Sequence, residues 1–203
     1  HDVFVHLACI SNDASFVLDE KLSTSINLES FEPMVRASKE SGNKRFIYAS
    51  TSSVYGISEA KDVREDHPLV PLTLYNKYKG MCEPLLFKHT DENFTGIVFR
   101  PATVCGYAKR QRLDLVVNIL TNHAYHKREI KVFGGSQLRP NIHINDMIDC
   151  YLNVIDANKD KINGQIFNVG FKNQSVDELA EDVKEIIGED IKIRKTETDD
   201  NRS

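Results

Sequence analysis

Short apolar runs alternate with longer amphipathic segments along this chain, and that alternation constrains its fold more than any other feature. Val3 to Ala8, Arg45 to Ala49 and Thr95 to Arg100 are dense in Val, Ile, Phe and Tyr, while the stretches between them repeat apolar residues at helical spacing. Strand, helix, strand, helix, strand is the rhythm of β-α units around a parallel sheet, so the predicted class is α/β. Helices are predicted from about Ser23 to Ser41, Leu74 to His89, Asp114 to His126, Asn145 to Asp156 and Ser175 to Ile187. Further short strands are predicted at Ile130 to Phe133, Phe167 to Val169 and Ile191 to Lys195. Ser23, Thr24 or Ser25 caps the first helix and Asn145 or Asp146 the fourth, whereas Ser175 and Glu178 match the capping-box pattern. Pro84 predicts a kink or an early helix end.

The first hundred residues suit the second half of a doubly wound sheet, whose ligands sit beyond the strands' C-terminal ends. Near the basic loop Gly106 to Arg112 the rhythm breaks, which puts one domain at residues 1–106 and a smaller lobe at 107–203, with strand and helix returns to the first. The sequence opens directly in a strand and closes on a polar run, so it reads as cut at both ends. With 203 residues, 40% apolar and 28% charged, it is no disordered chain, and its net charge of −4 argues against a nucleic-acid partner held by bulk charge. No apolar stretch approaches the roughly 18 residues of a membrane span. Cys9, Cys82, Cys105 and Cys150 stand singly without a secretory leader, the pattern of reduced thiols in the cytoplasm. Cys9 and Cys150 read as core filler.

Tyr75 and Lys79 lie one helical turn apart on one face. A neighbouring ammonium stabilises phenolate, which brings a Tyr toward the proton transfer that a sugar hydroxyl requires. The strand before Ser50-Thr51-Ser52-Ser53 delivers hydroxyls to its tip, so Thr51 can bond the oxygen on which Tyr75 acts; the turn also reads as an ordinary Ser/Thr cap.

Six ordered segments carry a resemblance to the extended short-chain dehydrogenase/reductases, specifically the NAD-dependent nucleotide-sugar epimerases and dehydratases. His6-Leu7-Ala8-Cys9 resembles the family's His-Leu-Ala-Ala strand end, and Asn27 its following helix Asn. Ser50-Thr51-Ser52-Ser53-Val54-Tyr55-Gly56 resembles its Ser-Ser/Thr-x-x-Val-Tyr-Gly turn, and Tyr75 with Lys79 its Tyr-x-x-x-Lys pair. Arg100-Pro101-Ala102-Thr103-Val104-Cys105-Gly106 resembles Arg-x-x-Asn-x-Tyr-Gly, with Thr103 in place of Asn. Arg139 to Asp146 resembles Arg-x-x-Ile-His-Val-x-Asp.

The resemblance implies a Rossmann-like sheet, bound NAD, a nucleotide-diphosphate sugar substrate and hydride removal from a sugar carbon. Tyr75 would transfer the proton, Lys79 hold the nicotinamide ribose, and Thr51 orient the reacting hydroxyl. Leu7, Ala8, Cys9, Asn27, Ala49, Ser50, Tyr75, Lys79, Arg100, Pro101 and Thr103 would line the cofactor. Thr51, Ser52, Ser53, Thr103, Arg112, Leu115 and Arg139 would face the substrate, with Arg139 clamping its diphosphate. Lys109, Arg110 and Arg112 form a basic cluster able to join that anion site.

The family's glycine-rich phosphate turn, and the residue selecting NAD over NADP, do not occur in this sequence, so NADP stays open. A polypeptide starting at His1 is expected to bind cofactor weakly and leave the edge of Val3 to Leu7 unpaired.

Dehydratases of the family place Asp-Glu where this chain has Ser52-Ser53, and neither hydroxyl is a strong acid or base near neutral pH. The Glu of UDP-glucuronate decarboxylases at the Ser53 position and the Cys of GDP-fucose synthase are missing too. C4 epimerisation is therefore the expected reaction. The alternatives are reduction of a 4-keto sugar by NAD(P)H, or a non-catalytic nucleotide-sugar or NAD-binding protein. His143 reads as a packed strand residue, and His123 with His126 lack partners for a metal. The family resemblance also implies a homodimer through the helices of Ser23 to Ser41 and Leu74 to His89.

Overall fold

A computed structural model describes residues 1–58, 60 and 62–196. The elements run β1 (Val3–His6), α1 (Asp13–Phe16), α2 (Glu20–Thr24), a π turn (Ser25–Glu29), α3 (Phe31–Glu40), β2 (Arg45–Ala49), a 3₁₀ turn (Ser52–Tyr55) and α4 (Leu74–Phe87). They continue with β3 (Thr95–Pro101), β4 (Thr103–Cys105), α5 (Val116–Lys127), β5 (Glu129–Phe133), β6 (Leu138–His143) and α6 (Ile144–Asp156). The last are α7 (Lys159–Ile162), β7 (Gln165–Val169), β8 (Lys172–Ser175), α8 (Val176–Ile187) and β9 (Lys192–Thr196).

Two compact units result, one of His1–Pro101 with Asp149–Val169, the other of Ala102–Ile148 with the chain from Gly170 onward. The first crossing falls at Pro101, ahead of the basic loop from which the sequence boundary was read.

The first unit holds a parallel sheet in the order β1-β2-β3-β7, with Phe46 opposite Phe4 and Gly96, and Phe99 opposite Phe167. This is the α/β, Rossmann-like arrangement expected. Phe46, Tyr48 and Val98 pack with Phe31, Val35, Cys82, Leu86 and Phe94 in one core; each large side chain so buried contributes about 1.5–3 kcal/mol. The second unit has a three-stranded sheet, β4-β6-β8, and a parallel pair, β5-β9. Its core joins Leu120 and Ala124 of α5 to Ile130 and Val132 of β5 and Leu179, Ala180 and Val183 of α8.

Several local expectations change. The single helix over Ser23–Ser41 is three segments, because α2 starts earlier under an Asp19 cap and a π turn precedes α3. Pro33 lies in the first turn of α3, where its missing N–H costs nothing, and cannot donate to Glu29 in a continuous helix. α4 passes through Pro84 and ends one turn later at Phe87. α6 begins at Ile144, and its cap is the His143 ring, whose Nδ1 accepts the Asn145 N–H at 3.2 Å, so Asn145 and Asp146 lie inside the helix. His143 is thereby exposed at a strand end rather than packed. The Ser175–Glu178 capping box is present as expected.

β8 carries no strand signal of its own. Lys172-Asn173-Gln174-Ser175 is polar throughout and becomes a strand because β6 offers it an antiparallel partner, Leu138 opposite Ser175. Among the described residues no helix is long and apolar enough to cross a membrane, and no cluster of metal-ligating side chains is present.

Candidate active site

The site grows from the junction of β2 and α4. Thr73 caps α4 by accepting the Asn76 N–H, which starts the helix immediately before Tyr75. Lys79, one turn on, is only 4% exposed, and its Nζ donates to the Ala49 carbonyl at the tip of β2 at 2.6 Å. The same ammonium stands 6.0 Å from the centre of the Tyr75 ring and 5.0 Å from that of Tyr48. Burial lowers the Lys79 pKa, and nearby Cys9 acts against the shift. Cys9 and Cys150 are both half-buried rather than core residues. Tyr48, buried beneath, is held well above its ordinary pKa by desolvation, and Cys82 is pushed up to about 11 by the same cause.

Thr51 follows at the end of β2 and caps the 3₁₀ turn by accepting the Ser53 N–H at 3.2 Å. The cap reading of this turn is therefore what the structure shows. Ser52 is half-buried and Ser53 exposed. Beyond β1, Leu7 is 57% exposed and Ala8 also exposed, while Asn27 turns inward from the π turn and bridges both polar atoms of the Ile10 backbone, at 2.9 and 3.0 Å. The Asn27 motif residue therefore fixes the loop after β1.

Arg100, expected along the cofactor, is instead buried in an ion pair with Glu83, a residue missed in the sequence. Both side chains are 3% exposed. Burial opposes the guanidinium charge, but the bonds to Glu83 and Tyr55 outweigh it and hold the Arg100 pKa above its ordinary value. The signal for Glu83 was its place four residues after Lys79, on the face that carries Tyr75.

The remaining expected residues lie in the second unit, apart from Pro101, which closes β3, and Ser50, which is buried at the β2 tip. Thr103 opens β4 opposite Asn141 of β6. Leu115 precedes α5, and Arg112 forms a two-pronged bond to Asp114, at 3.1 and 2.5 Å, which lowers the Asp114 pKa. Arg139 is half-buried on β6 and donates to the Leu138 carbonyl at 3.2 Å. Lys109 and Arg110 are exposed.

These motifs stand in a fold matched over residues 1–170 by the model of the NAD-dependent epimerase/dehydratase family. The chain belongs to that family. Among its curated relatives, the human dTDP-D-glucose 4,6-dehydratase is 28% identical over 93% of this chain and 53% of its own length. A protein named as an uncharacterised UDP-glucose epimerase, of Bacillus subtilis strain 168, is 30% identical over 83% of this chain and 53% of its own. The crystal structure of the Thermotoga maritima UDP-glucose 4-epimerase with UDP-glucose superposes with a TM-score of 0.84, at 23% identity, covering 99% of this chain and 66% of that one. The chain spans about half the length of the curated relatives it matches.

The residues present fit the family's cofactor. Lys79 has three N–H donors, one of which is taken by Ala49, and desolvation leaves the ammonium in need of further acceptors. Hydroxyl oxygens of a bound ribose would supply them.

Proposed function

We propose that this chain carries the proton-transfer and substrate half of an NAD-dependent nucleotide-sugar epimerase that inverts C4. The observation behind this reading is the buried Lys79 ammonium, bonded to the β2 tip directly ahead of Thr51 and set against the Tyr75 ring. Bound NAD would accept a hydride from C4 and give it back on the other face.

Tyr75 takes the proton of the C4 hydroxyl and later returns it. Lys79, fixed by Ala49, favours the phenolate form of Tyr75 and holds the ribose hydroxyls. Thr51 bonds the reacting oxygen, while Arg139 and Arg112 meet the diphosphate as planar donors. Ser52 and Ser53 bring no group able to protonate or deprotonate C5 and C6, which supports epimerisation over loss of water. The four free cysteines fit a reducing compartment.

Similarity to the human dehydratase favours 4,6-dehydration as the second reading. The test is incubation of the full-length protein, with the N-terminal units that carry the family's glycine-rich turn, with NAD and a panel of UDP-, GDP-, CDP- and dTDP-hexoses, followed by proton NMR and absorbance of reduced nicotinamide. A C4 epimer without net nicotinamide turnover is expected. A 4-keto-6-deoxy sugar would establish the dehydratase, and consumption of NADH or NADPH with a 4-keto sugar the reductase. Silence on every sugar, with nucleotide sugar still bound, would make the chain a binding module.

A further inference from the structure

Tyr75, Lys79 and Glu83 follow one another at four-residue intervals on α4, about 6 Å apart along its axis. Lys79 bonds the carbonyl of Ala49, and Glu83 bonds the next residue, accepting the Ser50 hydroxyl at 2.6 Å on Oε1. Successive turns of the helix thus hold successive residues of the β2 tip, and the next residue is Thr51. The other end of the 3₁₀ turn is held as well. Arg100 donates through Nε and one terminal nitrogen to Glu83, at 3.0 and 2.6 Å, and through the other to the Tyr55 hydroxyl at 2.7 Å and the Glu65 carbonyl at 2.9 Å. Tyr55 in turn donates to Asn168 Oδ1 at 2.6 Å.

We infer that the buried Glu83–Arg100 pair is a positioning device that clamps both ends of the turn carrying Thr51 and so sets Thr51 against Tyr75. The inference rests on the proposed reaction for its catalytic consequence, not for the clamp itself. A buried ion pair is a poor source of stability, since desolving two charges offsets most of their attraction and an apolar pair would pack as well. What it supplies here is geometry: a carboxylate can accept from Ser50 and from a two-pronged guanidinium at once, and the guanidinium keeps donors over for Tyr55. Glu83 and Arg100 touch no reacting atom and act through Ser50 and Tyr55.

Ser50→Ala and Glu83→Gln test the inference, with Ser175→Ala in the capping box of the other unit as a control that lowers stability without altering a residue of the clamp. Amide hydrogen exchange over residues 51–56 is expected to quicken about 10-fold in both test variants while β2 and β3 keep their protection, and to stay at the wild-type rate in the control. Turnover is expected to fall about 10-fold with the Michaelis constant for the nucleotide sugar unchanged, because loss of orientation alters the transition state and not binding. Wild-type exchange over 51–56 in both test variants overturns the clamp. Faster exchange with undiminished turnover overturns its role in positioning Thr51. Should Glu83→Gln not fold, Ser50→Ala decides alone, as it leaves the ion pair intact. A wild-type protein inert on all nucleotide sugars would refute the proposed reaction, and the exchange result would still decide the clamp.

Discussion

Lys79 shows how one buried charge organises its surroundings. Its ammonium is desolvated, tied to a carbonyl and flanked by the Tyr48 and Tyr75 rings, so removing the Tyr75 hydroxyl leaves packing largely untouched and deletes the group proposed to carry the proton. Tyr75→Phe is expected to slow epimerisation by about 100-fold or more with an unchanged circular-dichroism spectrum. A wild-type rate would remove Tyr75 from the chemistry.

His6 offers a second test at the same scale. It is buried, stacked on Tyr48 and tilted against Phe31 and Phe46, and burial together with the Lys79 charge lowers its pKa from 6.5 to about 4. Between those values the unfolded chain binds a proton that the folded chain does not, so stability rises with pH across that window. Stability present above pH 6.5 is lost as pH falls toward 4, by about 2 kcal/mol. Urea unfolding at pH 7 and pH 4.5 should show a smaller acid loss in His6→Phe than in wild type. Equal losses would mean that the His6 ring is protonated in the folded protein.

Among the elements, the turn after β2 is the most tightly specified. Gly56 closes it at φ +70° and ψ −146°, a conformation open in practice to glycine alone, and a Cβ there would meet the Val70 carbonyl oxygen at 2.1 Å. Gly56→Ala is expected to cost more than about 2 kcal/mol, read as a lower urea midpoint at unchanged m-value. An unshifted midpoint would show that residues 56 and 70 separate without penalty. The π turn is specified differently, by Asn27 bonded to the backbone of Ile10 and by Pro33 downstream.

For the whole molecule, the first unit presents apolar side chains on the elements expected to pair two copies. Leu22 and Ile26 lie on α2 and the π turn, and Leu74 and Met81 on α4, all exposed. A stable pair needs roughly 1,000 Å² or more of buried surface, which helices of this length can provide. Light scattering at micromolar concentration is expected to give a dimer, and Met81→Glu a monomer; a wild-type monomer would refute the pairing.

The sequence by itself determined the fold class and named most of the residues proposed for the site. Period-2 and period-3.6 patterns are local, so β2, β3, α4 and α8 could be read with their faces, and Tyr75 with Lys79 needed only the helical repeat. The Ser175–Glu178 box was equally legible because both partners lie within one turn. Tertiary structure decided what depends on residues far apart in the chain. β8 exists because β6 pairs with it, and His143 is a helix cap because β6 runs straight into α6. Arg100 was read as a cofactor residue until folding brought Glu83 to it across 17 positions. A buried charge finds its partner in space, and no spacing along a chain records that distance.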